Sequence, residues 1–385
     1  MKATTSGTPA SSLLIGIATL GFIGVTASYF VSGPERFWAN WILWFLFLFT
    51  LALGCLFLVA IEHLVSARWS VPIRRLPERL STLLLPVVPI GLIALGAVPV
   101  LYPGAKPEAL HNKLLAGKAL WLGLPFFSAR TVICLVLCLL ALAVLVKGSL
   151  RQDQSKDPQF NVRARKFAPL FMAIFAVVIT VLAFDWISGL TPEWYSDIFG
   201  VYLFAGGFLA ALAATVLALG HLQSQGRLSA VRRDHRFNLG AFLFAFTVFW
   251  SYIGFAQYML MWYANLPDEV VWYQVRLQGG WHGVTLALAI LHFVVPFFAL
   301  VTRDAKGDPR RLQWVAILML GAHALDLYWL VFPVLGKGVL FSWPEVSFGI
   351  FFIAGALLWV RRSLTWGEDM PVGDPFLPKG LEFHL

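Results

Sequence analysis

The sequence predicts an all-α integral membrane protein with ten transmembrane helices. Of its 385 residues, 59% are hydrophobic and only 13% are charged, about half the charged fraction of an average soluble domain. The mean hydropathy is +0.77, and the apolar residues fall into long runs separated by short basic loops. This composition excludes a water-soluble globular protein, a disordered chain and a secreted disulfide framework.

Ten apolar segments are long enough to cross a bilayer, whose core of about 30 Å takes about 20 residues of helix. The first of them is longer than the apolar part of a signal peptide and follows a single lysine, so we count it as a helix. The predicted spans are residues 11–31, 38–63, 81–102, 129–147, 167–186, 198–220, 238–262, 281–301, 313–334 and 344–360.

The basic residues predict that both chain termini are cytoplasmic. With the N-terminus inside, 22 of the 29 Lys and Arg residues fall in cytoplasmic stretches and 7 fall outside. This asymmetry is the positive-inside distribution of multi-pass membrane proteins. Because the basic residues cluster between membrane spans, the net charge of +9 does not indicate a nucleic-acid partner.

A weak internal repeat divides the spans into two four-helix bundles, spans 2–5 and spans 6–9, with spans 1 and 10 flanking them. His63 is followed eleven residues later by Arg74, the first of two arginines, and His221 is followed equally by Arg232, so both features recur at an offset of 158. The predicted division is 1–37 for the first helix, 38–190 for bundle one, 191–335 for bundle two, and 336–385 for the tenth helix and a cytoplasmic tail.

Two segments are not spans. The outer loop 103–128 is predicted to form an amphipathic helix on the outer face, because apolar residues recur there at mostly helical spacing. The tail 363–385 is too polar to span, and such a tail is expected to form an ordered cover only when a partner holds it. The residues that define the outer helix are Leu110, Leu114, Leu115, Leu120 and Trp121, with Lys106, Lys113 and Lys118 between them.

No metal site and no covalently bound cofactor are predicted. Cys55, Cys134 and Cys138 lie inside apolar spans without flanking histidines or carboxylates, which favours core packing over metal binding. The chain also lacks a glycine-rich nucleotide fingerprint and a haem-attachment motif.

Ionisable side chains inside the spans predict a proton pathway. A charge in hydrocarbon is costly, so each such residue needs a partner, a water-filled cavity or a function. His323 and Asp326 are three residues apart and share a helix face. Ordered by depth, the pathway residues are Glu62, His63 and His221 at the cytoplasmic boundary, His292 and His323 near the midplane, Asp326 one turn further out, and Asp185 with His282 at the outer boundary.

Structural interpretations of the same residues remain open. Residues at span boundaries are commonly solvated helix ends or caps. For the midplane trio of His292, His323 and Asp326, the alternative to proton transfer is a buried hydrogen-bonded network that only stabilises the fold.

Two stretches resemble a known family. Residues 184–200 read FDWISGLTPEWYSDIFG and cross from span 5 to span 6; residues 249–269 begin with FWSYIGFAQY and end with WYANLPDE. With ten spans in two four-helix units, the chain is similar to the NrfD/PsrC-like family of quinone-interacting membrane proteins, and within it to the F subunits of bacterial alternative complex III.

The resemblance implies a subunit of a quinol-oxidising respiratory complex in the bacterial inner membrane. Its partners would be membrane lipids, a larger paralogous ten-span subunit, and periplasmic iron–sulfur and multihaem cytochrome c subunits. It implies a subunit without a redox centre of its own that conducts protons and serves as a scaffold, with menaquinone or ubiquinone as the candidate ligand. Whether the chain is itself an enzyme stays open.

A quinone site, if present, is predicted near the outer boundary, because quinol oxidation needs a proton acceptor between aromatic walls. Aromatic belts at the membrane interface have the same composition. The candidate residues are Asp185, Trp186, Tyr252, Trp281 and His282.

The outer loops 103–128 and 263–280 are the predicted docking surface for a periplasmic subunit.

Two other classes of function remain open. His292 and His323, on neighbouring spans, could ligate a haem b in a membrane anchor. A stand-alone secondary transporter would use an interrupted helix at the midplane, for which Gly206-Gly207 in span 6 is the candidate. Small residues at this spacing also mark close helix packing.

Overall fold

The structure is a computed structural model that describes residues 9–336 and 338–385, and these residues form no strands. Within them, ten helices are long and apolar enough to cross a membrane, as predicted, and the fold is that of a multi-pass membrane protein. Lys2 and Lys337 lie outside the described residues. In chain order, α1 to α10 are Ala10–Val31, Pro34–Leu64, Arg75–Leu101, Leu124–Ser155, Gln159–Leu190, Phe199–Ser224, Arg233–Ala264, Gly279–Leu300, Pro309–Leu335 and Trp343–Ser363.

Several helices extend beyond the apolar runs that predicted them. Helix α3 begins at Arg75, six residues before the apolar run 81–102 that predicted it. Arg75 and Glu78 are fully buried there and form an ion pair of 2.6 Å. Because the two charges neutralise each other, this segment folds as a buried helix and not as a solvated loop.

Helices α2 and α6 form the centre of the molecule and are the most enclosed of the spans. Their backbones approach closely, because a methyl group added at Gly207 would lie 2.7 Å from Thr50 Cβ, and one added at Gly54 would lie 2.8 Å from the Gly207 carbonyl oxygen. Helix α6 runs unbroken through Gly206 and Gly207. Gly207 therefore serves helix packing, and neither glycine interrupts the span.

The other helices surround this pair. Contacts join α2, α3, α4 and α5 in a ring, and α6, α7, α8 and α9 in a second ring. The rings meet where α2 contacts α6 and α9 and where α5 contacts α6. Helix α1 packs mainly on α10, which in turn packs on α2.

The repeated arginine pairs make equivalent contacts. Arg75 at the start of α3 forms an ion pair of 2.6 Å with Asp153 near the end of α4. Arg233 at the start of α7, 158 residues later, forms one of 2.5 Å with Asp304 just after α8. Helices α4 and α8 also each contain one π-helical turn, at Ala143–Lys147 and Ile290–Val294. The likeness between the two halves thus extends beyond the two sequence features that suggested it.

The tail after α10 is held by the chain itself, which corrects the expectation that only a partner would order it. It lies across the ends of α2, α3 and α7, on what we call the tail face. Asp374 forms a buried ion pair with Arg74, and Asp369 pairs with Arg227 and Arg79. Burial alone would raise the pKa of Asp374, but the charge and hydrogen bonds of Arg74 outweigh burial and hold this pKa below its ordinary value.

The outer loop differs from its prediction. Instead of one amphipathic helix, it forms four short helical turns, Pro103–Ala105, Pro107–His111, Lys113–Gly117 and Ala119–Leu122. Prolines and glycines between the turns prevent a continuous helix. Leu115 packs with Ala109 and Leu122, whereas Leu110 and Leu120 are exposed. The Leu114 side chain lies outside what the structure describes.

Candidate functional site

A buried carboxyl group, Asp326 on α9, is the centre of the candidate site. Its side chain accepts a hydrogen bond of 2.6 Å from the Tyr202 hydroxyl on α6 and one of 3.2 Å from Trp250 Nε1 on α7. Asp326 is only 2% exposed. No Lys or Arg forms an ion pair with it in the described part of the chain. Neutral donors therefore hold this carboxyl group, and no fixed cation opposes it.

His323 lies one helical turn away and has a free ring nitrogen. Thr50 Oγ1 donates to the Leu46 carbonyl oxygen at 2.8 Å, so we assign the 3.0 Å contact between Thr50 Oγ1 and His323 Nε2 as a bond donated by the ring. Nδ1 is then an acceptor, and it has no hydrogen-bond partner among the described residues.

Gly206 keeps a small space open between His323 and Asp326. A methyl group added at Gly206 would lie 3.2 Å from His323 Nδ1 and 3.4 Å from Asp326 Oδ2. Both atoms therefore border the same space beside the α6 backbone. Any larger residue at this position would fill the gap between these two atoms.

His292 completes the cluster from α8. It lies in the π-helical turn Ile290–Val294, a distortion that is common at functional sites. Its ring stacks on Trp250 with centroids 3.8 Å apart, and neither ring nitrogen has a partner among the described residues. Because Trp250 also donates to Asp326, it connects His292 to the other two residues.

An aromatic cavity of about 440 Å³ between α7 and α8 adjoins the cluster. Tyr202 and Trp250 form part of its wall, together with Trp272, Tyr273 and Gln257. The donors that hold Asp326 thus face this cavity. Sequence reasoning missed Tyr202 and Trp250, although Trp250 lies inside the stretch 249–269 and Tyr202 follows the stretch 184–200 by two residues.

The predicted cytoplasmic group is only partly brought together. Glu62 and His63 are buried near Arg74, whereas His221 is exposed and contacts Gln225. Thr50 precedes Glu62 by twelve residues on α2, a rise of about 18 Å. That stretch is apolar and buried, with Leu53, Cys55 and Leu58 among its members. The described side chains therefore form no continuous ladder from Glu62 to His323.

Asp185 forms a structural contact at the face opposite the tail, the far face. Arg130 donates two hydrogen bonds to its carboxylate, of 2.8 and 2.9 Å, and Trp121 Nε1 donates a third of 3.1 Å. The guanidinium also lies 3.9 Å from the centroid of Trp121. Such a bidentate pair holds the carboxylate in one geometry against a fixed cation. His282 is exposed at the start of α8, so the outer boundary of the predicted pathway is not assembled as expected.

Arg276 makes the corresponding contact in the second half. Its guanidinium lies 3.4 Å from the centroid of Trp272 and donates to the carbonyl oxygens of Trp329 at 3.2 Å and Leu330 at 3.0 Å. Arg276 is the last residue of the short helix Pro267–Arg276 before α8 and contacts the end of α9, much as Arg130 near the start of α4 contacts the end of α5. Sequence reasoning had counted both arginines only as charges of the outer loops.

The five predicted quinone residues occupy separate places, which corrects the expectation of one shared pocket. Asp185 is held by Arg130, and Trp186 is buried against Phe45 and Phe127. Tyr252 is 64% exposed on α7. Trp281 packs against Tyr328, and His282 is exposed. Belt and core packing account for these residues better than a quinone pocket does.

The two histidines do not fit a haem. Trp250 covers the ring of His292 at stacking distance, and Thr50 holds Nε2 of His323. Neither histidine lines the cavities described here, so a macrocycle has no slot between them. Among the described residues, no group of three or more His, Cys, Asp or Glu side chains is arranged to hold a metal ion, and Cys55, Cys134 and Cys138 are buried free thiols.

No family model matches this chain, and no curated protein matches it. The resemblance to the NrfD/PsrC-like family therefore rests on the stretches 184–200 and 249–269 and on the ten-helix architecture.

Proposed function

We propose that this chain is a membrane subunit of a quinol-oxidising respiratory complex, of the kind of alternative complex III in the bacterial inner membrane. In that complex it conducts protons and serves as a scaffold. The observation that carries the proposal is the buried cluster of His292, His323 and Asp326. Polar groups of this kind within a membrane span are retained for function more often than for stability.

The contrast between two buried carboxylates supports proton transfer. Asp185 is fixed by a bidentate arginine, whereas Asp326 accepts only from Tyr202 and Trp250. His323 Nδ1 is an open acceptor beside the carboxyl group. A group that must bind and release a proton should have no cation fixed beside it, and of these two carboxyl groups Asp326 meets this condition.

The aromatic cavity between α7 and α8 supports a route to the far face, which is the predicted periplasmic side. Tyr202 and Trp250 connect Asp326 to this cavity, and the hydroxyls of Tyr258, Tyr273 and Thr285 line it. We place the outer exit here, in place of Asp185 and His282. Glu62 and His63 form a separate buried group near the tail face.

The arrangement of the helices supports the scaffolding role. The two rings of contacting helices agree with two four-helix bundles, spans 2–5 and 6–9, flanked by α1 and α10. Exposed aromatic residues crowd the far end of α7, where Trp262 and Tyr263 are 64% and 84% exposed. A peripheral subunit seated on the loops 103–128 and 263–280 would cover them.

The proposal predicts the partners that purify with this chain. In mild detergent we expect a larger ten-span paralogue, an iron–sulfur protein and a multihaem cytochrome c, identified by mass spectrometry and haem absorption. Protease should cleave the loops 103–128 and 263–280 only after a harsher detergent has separated the subunits. The isolated chain should show no haem spectrum. A stable chain that purifies alone, with its loops equally cleaved in both detergents, would refute the assignment and favour a transporter.

A further inference from the structure

Two arginines are buried at the far face, and only one of them has a carboxylate partner. Arg130 is paired with Asp185. Arg276, which is 3% exposed, forms no ion pair in the described part of the chain. The nearest carboxylates along the chain, Asp268 and Glu269, lie in the first turn of the same short helix, about 10 to 12 Å away along its axis. Arg276 is therefore a buried cation that none of the described carboxylates pairs with.

Neutral groups hold the guanidinium of Arg276 in place. It donates to the carbonyl oxygens of Trp272 at 2.9 Å, Leu330 at 3.0 Å and Trp329 at 3.2 Å. Trp329 and Leu330 lie in the last turn of the regular helix Pro309–Val331 of α9, where the backbone dipoles place a partial negative charge. These dipoles stabilise the guanidinium, but no ionised group offsets its charge.

This charge lies against the wall of the aromatic cavity between α7 and α8. The guanidinium is 3.4 Å from the centroid of Trp272 and 5.1 Å from that of Trp329, and both rings line the cavity. On α9, Trp329 follows Asp326 by three residues, a rise of about 4.5 Å towards the far face. The charge of Arg276 therefore lies on the far-face side of Asp326, next to the cavity that Tyr202 and Trp250 connect to this carboxyl group.

A fixed positive charge in this place makes the cavity unfavourable for a proton. At about 10 Å and an effective dielectric constant of about 20, one unit charge lowers proton occupancy about 10- to 20-fold. The repulsion is the same for entry and exit, so it reduces passive flow in both directions. Water channels use an arginine in this way to exclude protons and other cations.

We propose that Arg276 is the electrostatic barrier of the outer exit, which limits the return of protons from the far face into the cavity. The barrier rests on the proposed proton role of this chain, and it explains why the arginine of this half has no carboxylate partner. Arg130 cannot act in the same way, because Asp185 neutralises it. A purely structural Arg276 would instead only tie the short helix before α8 to the end of α9.

Two matched pairs of variants separate the charge of Arg276 from its hydrogen bonds. Arg276→Gln and Arg276→Lys both lose the planar group that reaches three carbonyl oxygens, but lysine keeps the charge. Leu277→Glu and Leu277→Gln have nearly equal side chains, and only the first adds a carboxylate to the cavity wall while Arg276 itself is unchanged. Each pair therefore differs mainly in charge.

The return of protons is measured with the intact complex in sealed vesicles. Quinol oxidation builds a proton gradient and is then stopped, and a pH-sensitive dye follows the decay of the gradient. We expect protons to return about 10-fold faster in Arg276→Gln than in Arg276→Lys. They should also return faster in Leu277→Glu than in Leu277→Gln, because the added carboxylate offsets the arginine charge.

Equal return rates within a pair whose members assemble would overturn the barrier. If neither Arg276 variant assembles, the Leu277 pair decides. Failure of the proton role itself has a different signature, since Asp326→Asn would then move as many protons per electron as the unmodified complex. A lowered ratio in Asp326→Asn together with equal return rates within the pairs would refute the barrier alone.

Discussion

Asp326→Asn and His323→Ala are expected to lower the number of protons moved per electron in sealed vesicles, while the complex still assembles and uncoupled membranes still oxidise quinol. Asparagine can accept from Trp250 through its oxygen and donate to the Tyr202 oxygen through its amide, but it cannot bind and release a proton. Removing a proton acceptor of this kind slows transfer by about 10²- to 10⁴-fold. Simultaneous measurement of proton uptake and electron transfer in vesicles that contain the intact complex gives the ratio.

His292→Phe separates a functional cluster from a structural one. Phenylalanine keeps a ring against Trp250 but removes two nitrogens that have no partner among the described residues. Since replacing an unsatisfied polar group by an apolar one is neutral or stabilising, a purely structural role predicts an unchanged or higher melting temperature and an unchanged proton ratio. The proposed role predicts a lower ratio at the same melting temperature.

Asp308→Asn is the matched control for these variants. Asp308 caps the same helix, α9, by accepting a bond of 2.8 Å from the Arg311 amide, and asparagine caps a helix equally well. Its proton ratio should equal that of the unmodified complex. If Asp326→Asn, His323→Ala and His292→Phe all behave like Asp308→Asn, the cluster is a buried structural network and the proton route lies elsewhere.

The sequence predicted the spans well because the bilayer imposes a simple rule on composition and length. It also predicted that His323 and Asp326 share a face, since their spacing on one helix determines this. Both features are local. The sequence placed His292 near this pair only through its estimated depth in the membrane. It did not predict Trp250, which connects the three residues.

The position of a residue along a helix gives its depth in the membrane. It does not give the direction in which the side chain points or the residues that it contacts. For this reason the sequence assigned both Asp185 and Asp326 to one proton pathway, although Arg130 fixes one and neutral donors hold the other. His221 and His282 lie at plausible depths but are exposed. Only the packing of different helices decides which ionisable residue has a cation beside it.

The contacts of the tail could not be predicted from the sequence either, because they join residues that are far apart in the chain. Its carboxylates Asp369 and Asp374 follow α10, and their arginine partners lie 142 to 300 residues earlier. Nothing local distinguishes Arg74 and Arg79 from ordinary cytoplasmic loop charges. They are nevertheless among the most buried charged residues described, because the tail folds over them.

Asp374→Asn is expected to release this tail from the tail face. The change removes the charge that offsets buried Arg74, which among the described residues then keeps Glu78, at 3.6 Å, as its ion-pair partner. Breaking a buried ion pair costs about 3–5 kcal/mol when one charge is left alone. Because Arg74 keeps its contact with Glu78, we expect Asp374→Asn to weaken docking of the tail by about 2 kcal/mol. The released population should rise about 30-fold, and trypsin cleavage after Lys379, which tracks that population, should accelerate equally.

Low pH should also release the tail from the tail face in the unmodified chain. The pKa of Asp374 lies below its ordinary value of about 3.9 while the tail is bound, and it returns to that value on release. Docking is therefore fully favoured above about pH 4 and is lost as pH falls through the lowered pKa. Hydrogen exchange of the tail amides, corrected for the intrinsic effect of pH, should rise below pH 4 in the unmodified chain and rise less in Asp374→Asn, where Asp369 remains as a tail carboxylate with a lowered pKa. Asp304→Asn, which removes an exposed ion pair on the same face, should alter neither exchange nor cleavage, because such pairs contribute about 0–1 kcal/mol. Equal cleavage rates for Asp374→Asn and Asp304→Asn would mean that the apolar contacts of the tail, and not its carboxylates, hold it in place.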